Sequence, residues 1–127
     1  MIGVSDRIMR ELGQIDGVIE GESVFKDGPA LWVNGKEIAH FEGRNAIDIR
    51  LTRAEIRARR AELRADPRVS LRSASSDWIT IEFAGPADEA FVRGLTETAA
   101  AAHRPSDGSQ ARLPPAGADL ARRKHFH

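Results

Sequence analysis

Residues 30–51 read ALWVNGKEIAHFEGRNAIDIRL, and their alternation decides the fold. Successive side chains of a strand point to opposite faces, so Leu31 and Val33 share one face and Trp32 takes the other. Asn34-Gly35 is the strongest short hairpin signal, because both central positions of a type I′ turn need positive φ. The chain then returns through residues 36–42, turns at Gly43-Arg44-Asn45 and enters a third strand at residues 46–51. There Ile47, Ile49 and Leu51 face one way while Asp48 and Arg50 face the other. Short strands in direct succession predict an antiparallel meander with an apolar and a polar face.

Working outward, residues 18–25 (VIEGESVF) read as a strand preceding the meander, closed by the turn KDGP. Upstream, Ser5 is positioned to cap a short helix whose stripe is Ile8, Met9 and Leu12, with Gly13 at its end. Downstream, Thr52-Arg53-Ala54-Glu55 fits a capping box, and the helix it opens runs to about Arg64 before Asp66-Pro67 stops it. Val69 and Leu71 suggest another strand, and WITIEF (78–83) alternates with Ile79, Ile81 and Phe83 inward. Gly85-Pro86 opens the last helix, whose stripe is Phe91, Val92, Leu95 and Ala99. Strands and helices are segregated, so the class is α+β: a mostly antiparallel meander of about five to six strands, with a middle helix. The N- and C-terminal helices are expected to pack on one face, leaving the polar face partly open. Residues 1–103 read as a single domain. From residue 104 the composition shifts to Pro, Gly, Ser, Ala and Arg, and residues 104–127 read as a disordered tail.

The chain has 127 residues, 41% of them hydrophobic, with formal net charge zero. That suffices for an ordinary core and gives no global field toward nucleic acid or anionic lipid. The absence of cysteine excludes disulfides, thiolate metal sites and cysteine nucleophiles. The N-terminus lacks the apolar core of a signal peptide and no run is long enough to span a membrane, so a cytoplasmic location without membrane association is expected. No glycine-rich phosphate loop, Ser/His/Asp grouping or paired-carboxylate spacing stands out. No cofactor is expected. His103, His125 and His127 lie at or beyond the end of the last helix, which gives no preorganised metal site.

Several of these segments carry a resemblance. GKEIAHF (35–41), IDIRL (47–51), TRAEI (52–56), SDWITIEF (76–83) and PADEAFVRGL (86–95) together resemble the luciferase-domain family. That family comprises small bacterial proteins and the fungal luciferases that name it. The hallmark is a Glu-Phe-Ala-His-like strand, here Glu37-Ile38-Ala39-His40, followed by a turn and an alternating strand. The resemblance to the fungal members implies cofactor-free oxidation of an aromatic or enolic substrate, with His40 as general base. Members nearer those enzymes carry further histidines in the following strand and after the middle helix. This chain has Asp48 or Arg50 and Asp66-Pro67-Arg68 there. A weaker resemblance to the MmcQ/YjbR family, through DGVIE (16–20), VNGK (33–36) and DWIT (77–80), implies an antiparallel sheet flanked by two helices.

The candidate site follows from the polar face. His40 is the only histidine within the ordered core and the first candidate for proton transfer. Glu37, three residues away, falls on the opposite face unless a bulge intervenes. Asp48 or Arg50, from the next strand, is the easier partner. Trp32, Asp48, Arg50 and Trp78 are expected to form the ligand-binding surface, since Trp offers stacking and Arg a planar donor fork. Such a face suits a small aromatic or anionic ligand, or a protein partner. Eight arginines between 50 and 72 also raise a nucleic-acid reading. It is not favoured, because Glu55 and Arg59 form an i,i+4 pair of the kind found on an ordinary solvated helix.

Overall fold

The structure, a computed structural model, describes residues 3–107 and 109–125; Gly108, His127 and the other terminal residues lie outside that description. The elements in chain order are α1 (Val4–Leu12), β1 (Ile19–Glu22), β2 (Pro29–Val33), β3 (Lys36–Phe41), β4 (Ala46–Arg50), α2 (Arg53–Ala58) and α3 (Arg60–Ala65). They are followed by β5 (Val69–Leu71), β6 (Trp78–Glu82), α4 (Pro86–His103) and α5 (Gly117–His125). The strands form a six-stranded sheet in the order β1-β2-β3-β4-β6-β5, antiparallel at every junction. The protein is therefore α+β, as its segregated strands and helices predict. Asn34 and Gly35 adopt φ of 50° and 76°, as the β2–β3 turn requires.

One face of the sheet is apolar and carries the main core. Leu31 and Val33 of β2, Ile47 and Ile49 of β4, and Ile79 and Ile81 of β6 pack with Ile8, Met9 and Leu12 of α1 and Val92 and Leu95 of α4. Each fully buried branched side chain contributes roughly 1.5–3 kcal/mol, so this face is the main source of stability. Ile56 and Leu63 extend the core beneath α2 and α3. No helix among the described residues is long and apolar enough to cross a membrane.

Some local expectations are corrected. Ser5 lies inside α1, whose N-cap position is Gly3 with no side-chain cap bond. Strand β1 stops at Glu22, and residues 23–28 form the loop to β2, closed at its base by the Ser23 N–H donating to the Gly28 carbonyl at 3.0 Å. The middle helix divides at Arg59, whose φ of −110° and ψ of 11° separate α2 from α3. Half of the capping box forms: the Glu55 N–H donates to Thr52 Oγ1 at 3.2 Å, while the Glu55 carboxylate accepts from Arg59 Nε at 3.1 Å. Within the stretch whose composition points to disorder, Gly117–His125 forms helix α5.

The feature that positions the site is a bulge. Leu31 opposes Ala39, yet the next residue, Trp32, opposes Glu37. Ile38 is the extra residue, and both Ile38 and Ala39 join the apolar core. Inserting one residue shifts the alternation, which returns Glu37 to the same face as His40.

Candidate functional site

On the polar face His40 stands between two carboxylates. The bulge brings Glu37 Oε2 to 2.7 Å from His40 Nδ1, and the β3–β4 register, which pairs His40 with Asp48, sets Asp48 Oδ2 at 3.0 Å from Nε2. All three are buried, with relative exposures of 1%, 4% and 1% for Glu37, His40 and Asp48. Carboxylates accept, so both ring nitrogens carry a proton and His40 is an imidazolium. Burial lowers its pKa, but hydrogen bonds to Asp48 and Glu37, with their charges, outweigh burial and leave it raised. Burial likewise pushes Asp48 up. The hydrogen bonds from His40 and Thr80 and the charge of Arg72 prevail, holding it well below the usual carboxylate range.

The outer oxygens are also satisfied. Thr80 Oγ1 donates to Asp48 Oδ1 at 2.7 Å, and Arg72 reaches Asp48 Oδ2 at 3.0 Å. Glu37 accepts from Ser23 Oγ at 2.7 Å and from the Val24 N–H at 2.7 Å. Ser23 Oγ in turn accepts from the N–H groups of Phe25 and Lys26, at 3.1 and 2.9 Å. The row Glu37–His40–Asp48 thus fastens the β1–β2 loop down onto the sheet. The expected open face is covered, by this loop and by α5, whose Leu120 packs on a small cluster of Val24, Ala30 and Trp32. Because an imidazolium has no lone pair, His40 accepts a proton only after it has given up one of its own, for which Glu37 and Asp48 are the acceptors at hand.

An aromatic layer lies beside this row. The His40 ring is 4.9 Å from Trp78 and 5.9 Å from Phe25. Arg50 pairs across β4 and β6 with Trp78, and its guanidinium stands 5.0 Å from the Trp78 ring and 5.7 Å from Phe25. The Arg50 side chain makes no hydrogen bond or ion pair among the described residues, and its Nε is buried without a partner. Burial pushes its pKa down, with the charges of Asp77 and Glu37 opposing. It remains a cation, as guanidinium does in proteins. Arg50 lines a cleft of about 240 Å³ together with Phe25, Trp32, Lys36, Glu37 and Arg123.

Of the residues singled out in the sequence, His40 and Asp48 meet directly, and Arg50 meets Trp78. Trp32 sits further along the sheet, buried in its own cluster with its Nε1–H donating to the Glu22 carbonyl at 3.1 Å. Glu37 was set on the opposite face unless a bulge intervened, and the bulge is there. Ser23, Phe25 and Thr80 were not singled out, the two loop residues because they carry no periodic signal.

His40, Glu42 and Asp48 place one donor atom each within 4.8 Å of one another, the spacing a metal ion would need. Each is already engaged by a cation: Glu42 by Lys26 at 2.6 Å, Asp48 by Arg72, and the His40 nitrogens by their own protons. With these partners the cluster is charge-balanced as it stands. A larger cleft of about 480 Å³, lined by Glu42, Arg68, Glu82 and Asp88 among others, lies at the other end of β4. Its Arg68 is held by Asp66 and Asp88, at 2.8 and 3.0 Å. Within the arginine block Arg59, Arg68 and Arg72 pair with different carboxylates.

The family model described as "Luciferase domain" matches residues 35–99, more than half of the 127. Neither the comparison with curated proteins nor that with solved structures returns a match. The matched span runs from the β2–β3 turn to α4 and contains the bulge, the Glu37–His40–Asp48 row, Arg50 and Trp78. The chain belongs to the luciferase-domain family.

Proposed function

We propose that this protein binds a small, flat anion on the polar face of its sheet, in the cleft beside Arg50. The observation that carries this reading is the state of Arg50: a guanidinium over two aromatic rings, its Nε–H buried and unpartnered. Burying a charged donor without an acceptor is costly, and a carboxylate offers the planar, two-oxygen partner that guanidinium matches best. Lys36 and Arg123 add charge of the same sign, while Phe25 and Trp32 provide flat apolar walls. Glu37, the acid lining the cleft, is committed to Ser23, Val24 and His40. The volume of about 240 Å³ falls below the roughly 300–1,000 Å³ of drug-sized sites, which limits the ligand to about one ring and an acidic group. His40 and Asp48 act behind the contact surface, by holding Glu37 and the β1–β2 loop in place.

The enzymatic alternative, cofactor-free oxidation of an aromatic or enolic molecule with His40 as base, draws on the same buried row. It requires His40 to pass one ring proton to Glu37 or Asp48, so that the freed nitrogen can take a proton from the substrate.

Thermal unfolding of wild type and Arg50→Met with benzoate, and with benzyl alcohol as uncharged control, tests the binding reading. Benzoate at about ten times its Kd is expected to stabilise wild type by roughly 1.4 kcal/mol, a shift of several degrees. It leaves Arg50→Met unmoved. Arg50→Met itself is expected to fold at least as stably as wild type, since it removes a half-buried cation whose Nε–H has no acceptor. Equal responses of the two proteins to benzoate would refute the assignment.

A further inference from the structure

We infer that the C-terminal segment is a lid over this cleft, and that Arg123 is an anion-reading residue which the lid delivers. The inference rests on the binding reading above and extends it to the regulation of that site.

Three observations carry it. The first is how loosely α5 is held. Among its described residues none is buried, and the apolar contact they make is Leu120 on Val24, Ala30 and Trp32. The strap leading to it crosses the β2–β3 turn, where the Arg112 N–H donates to Asn34 Oδ1 at 2.9 Å. Pro114 then passes over Gly21, close enough for a Cβ added there to lie 3.5 Å from it.

The second observation is charge. The last turn of α5 carries Arg122, Arg123, Lys124 and His125, and it is laid over a cleft that already holds Lys36 and Arg50. On α5, Asp119 answers Arg122 at 3.1 Å and Arg123 at 3.5 Å, and Lys124 reaches Asp27 only at 3.8 Å. Three cations therefore converge on a cleft that a single acid, Glu37, lines, with Asp77 the other negative charge acting on Arg50. Like charges held together in a partly desolvated space repel, so closure without an anion is opposed electrostatically.

The third observation is geometry. Arg50 and Lys36 come from β4 and from the start of β3, whereas Arg123 comes from α5, across the cleft. An anion seated between them converts mutual repulsion into shared attraction. It is bound by the sheet and shuts the lid in the same step. By linkage, whatever holds the lid closed raises anion affinity, and the anion holds the lid closed by the same factor. An uncharged ring of the same size touches the walls without this coupling.

The test uses the full chain with benzoate and phenyl phosphate as anionic probes and benzyl alcohol as neutral control. Hydrogen exchange of residues 117–125 is expected to slow severalfold with either anion and to stay unchanged with benzyl alcohol. Arg123→Gln is expected to weaken benzoate binding by about tenfold, the loss of one charge-assisted contact. It leaves benzyl alcohol binding and thermal stability as in wild type. If Arg123→Gln binds benzoate as wild type does, or if exchange in α5 ignores the bound anion, the lid is overturned while the Arg50 site stands. If neither anion binds wild type, the site itself fails and the lid with it. Slowing by benzoate but not by phenyl phosphate would narrow the ligand class to carboxylates and still support the lid.

Discussion

At the scale of single residues, His40 governs the polar face, and its role is set by partners more than by its own chemistry. The sequence offered His40 as the only core histidine and Asp48 as its cross-strand neighbour, and the register joins them as alternation allows. Glu37 was placed correctly only on the condition of a bulge, because period-two reasoning cannot see an inserted residue. With both nitrogens donating, His40 ties three segments of chain together, and its loss strands two buried carboxylates. His40→Gln is expected to destabilise the fold by about 3 kcal/mol, in the range for breaking a buried charge pair. The effect has a definite pH dependence. Because the folded pKa of His40 is raised above 6.5, its contribution is fully present below pH 6.5 and fades as pH rises through the folded value. Asp48 acts at the other end: its pKa is lowered from 3.8, so its contribution is present above that value and is lost as pH falls further. Urea unfolding of wild type and His40→Gln between about pH 5 and pH 9 reads this directly. The wild-type advantage should shrink toward alkaline pH, and an advantage that grows instead would sink the imidazolium assignment.

At the scale of elements, the strands were the most legible part and the junctions the least. Alternation located β2, β3, β4 and β6, since each has one face in the core and a slip by one residue would expose it. Helix ends were harder. Ser5 looked like a cap and Gly3 serves instead, because a capping residue is recognised by its type while the helix starts where backbone bonds first close. The junction between β4 and α2 holds a conformation that no sequence pattern announces. Thr52 sits at φ 86° and ψ 149°, a region that β-branched residues avoid at a cost of about 1–3 kcal/mol. It is kept there by its N–H donating to the Asp77 carbonyl at 3.0 Å and by its hydroxyl capping α2. These two roles can be separated. Thr52→Gly removes the strain and loses only a few tenths of a kcal/mol of capping, so it is expected to be at least as stable as wild type. Thr52→Ala keeps the strain and loses about 1 kcal/mol of cap. Denaturation midpoints should rank Gly above Ala by about 2 kcal/mol; the reverse order would mean that Thr52 is not strained.

At the scale of the whole molecule, the two faces of the sheet are closed in different ways. The apolar face is shut by α1 and α4 through a continuous core, and the sequence announced it, because helix stripes and strand alternation agree. The polar face is shut by a six-residue loop, 23–28, and by α5. Neither was legible: the loop has no period, and the Leu120 contact of α5 depends on surfaces elsewhere in the chain. Stability should follow the same division. Ile49, fully buried at the centre of the sheet, should cost about 3–4 kcal/mol when cut to alanine. Leu120→Asp should cost less than about 1 kcal/mol of global stability, since it disturbs a partly exposed contact and no core layer. Its effect should instead be local. Trp32, 2% exposed beneath the Leu120 contact, should become open to acrylamide quenching as α5 lifts away, without a matching fall in the urea midpoint. If Leu120→Asp lowers the midpoint as far as Ile49→Ala does, α5 belongs to the cooperative core and the polar face is not closed by a movable element. If Trp32 becomes accessible while the core holds, the sheet of this protein carries a cover that opens below the free energy of unfolding, and the Arg50 cleft is reached by local motion alone.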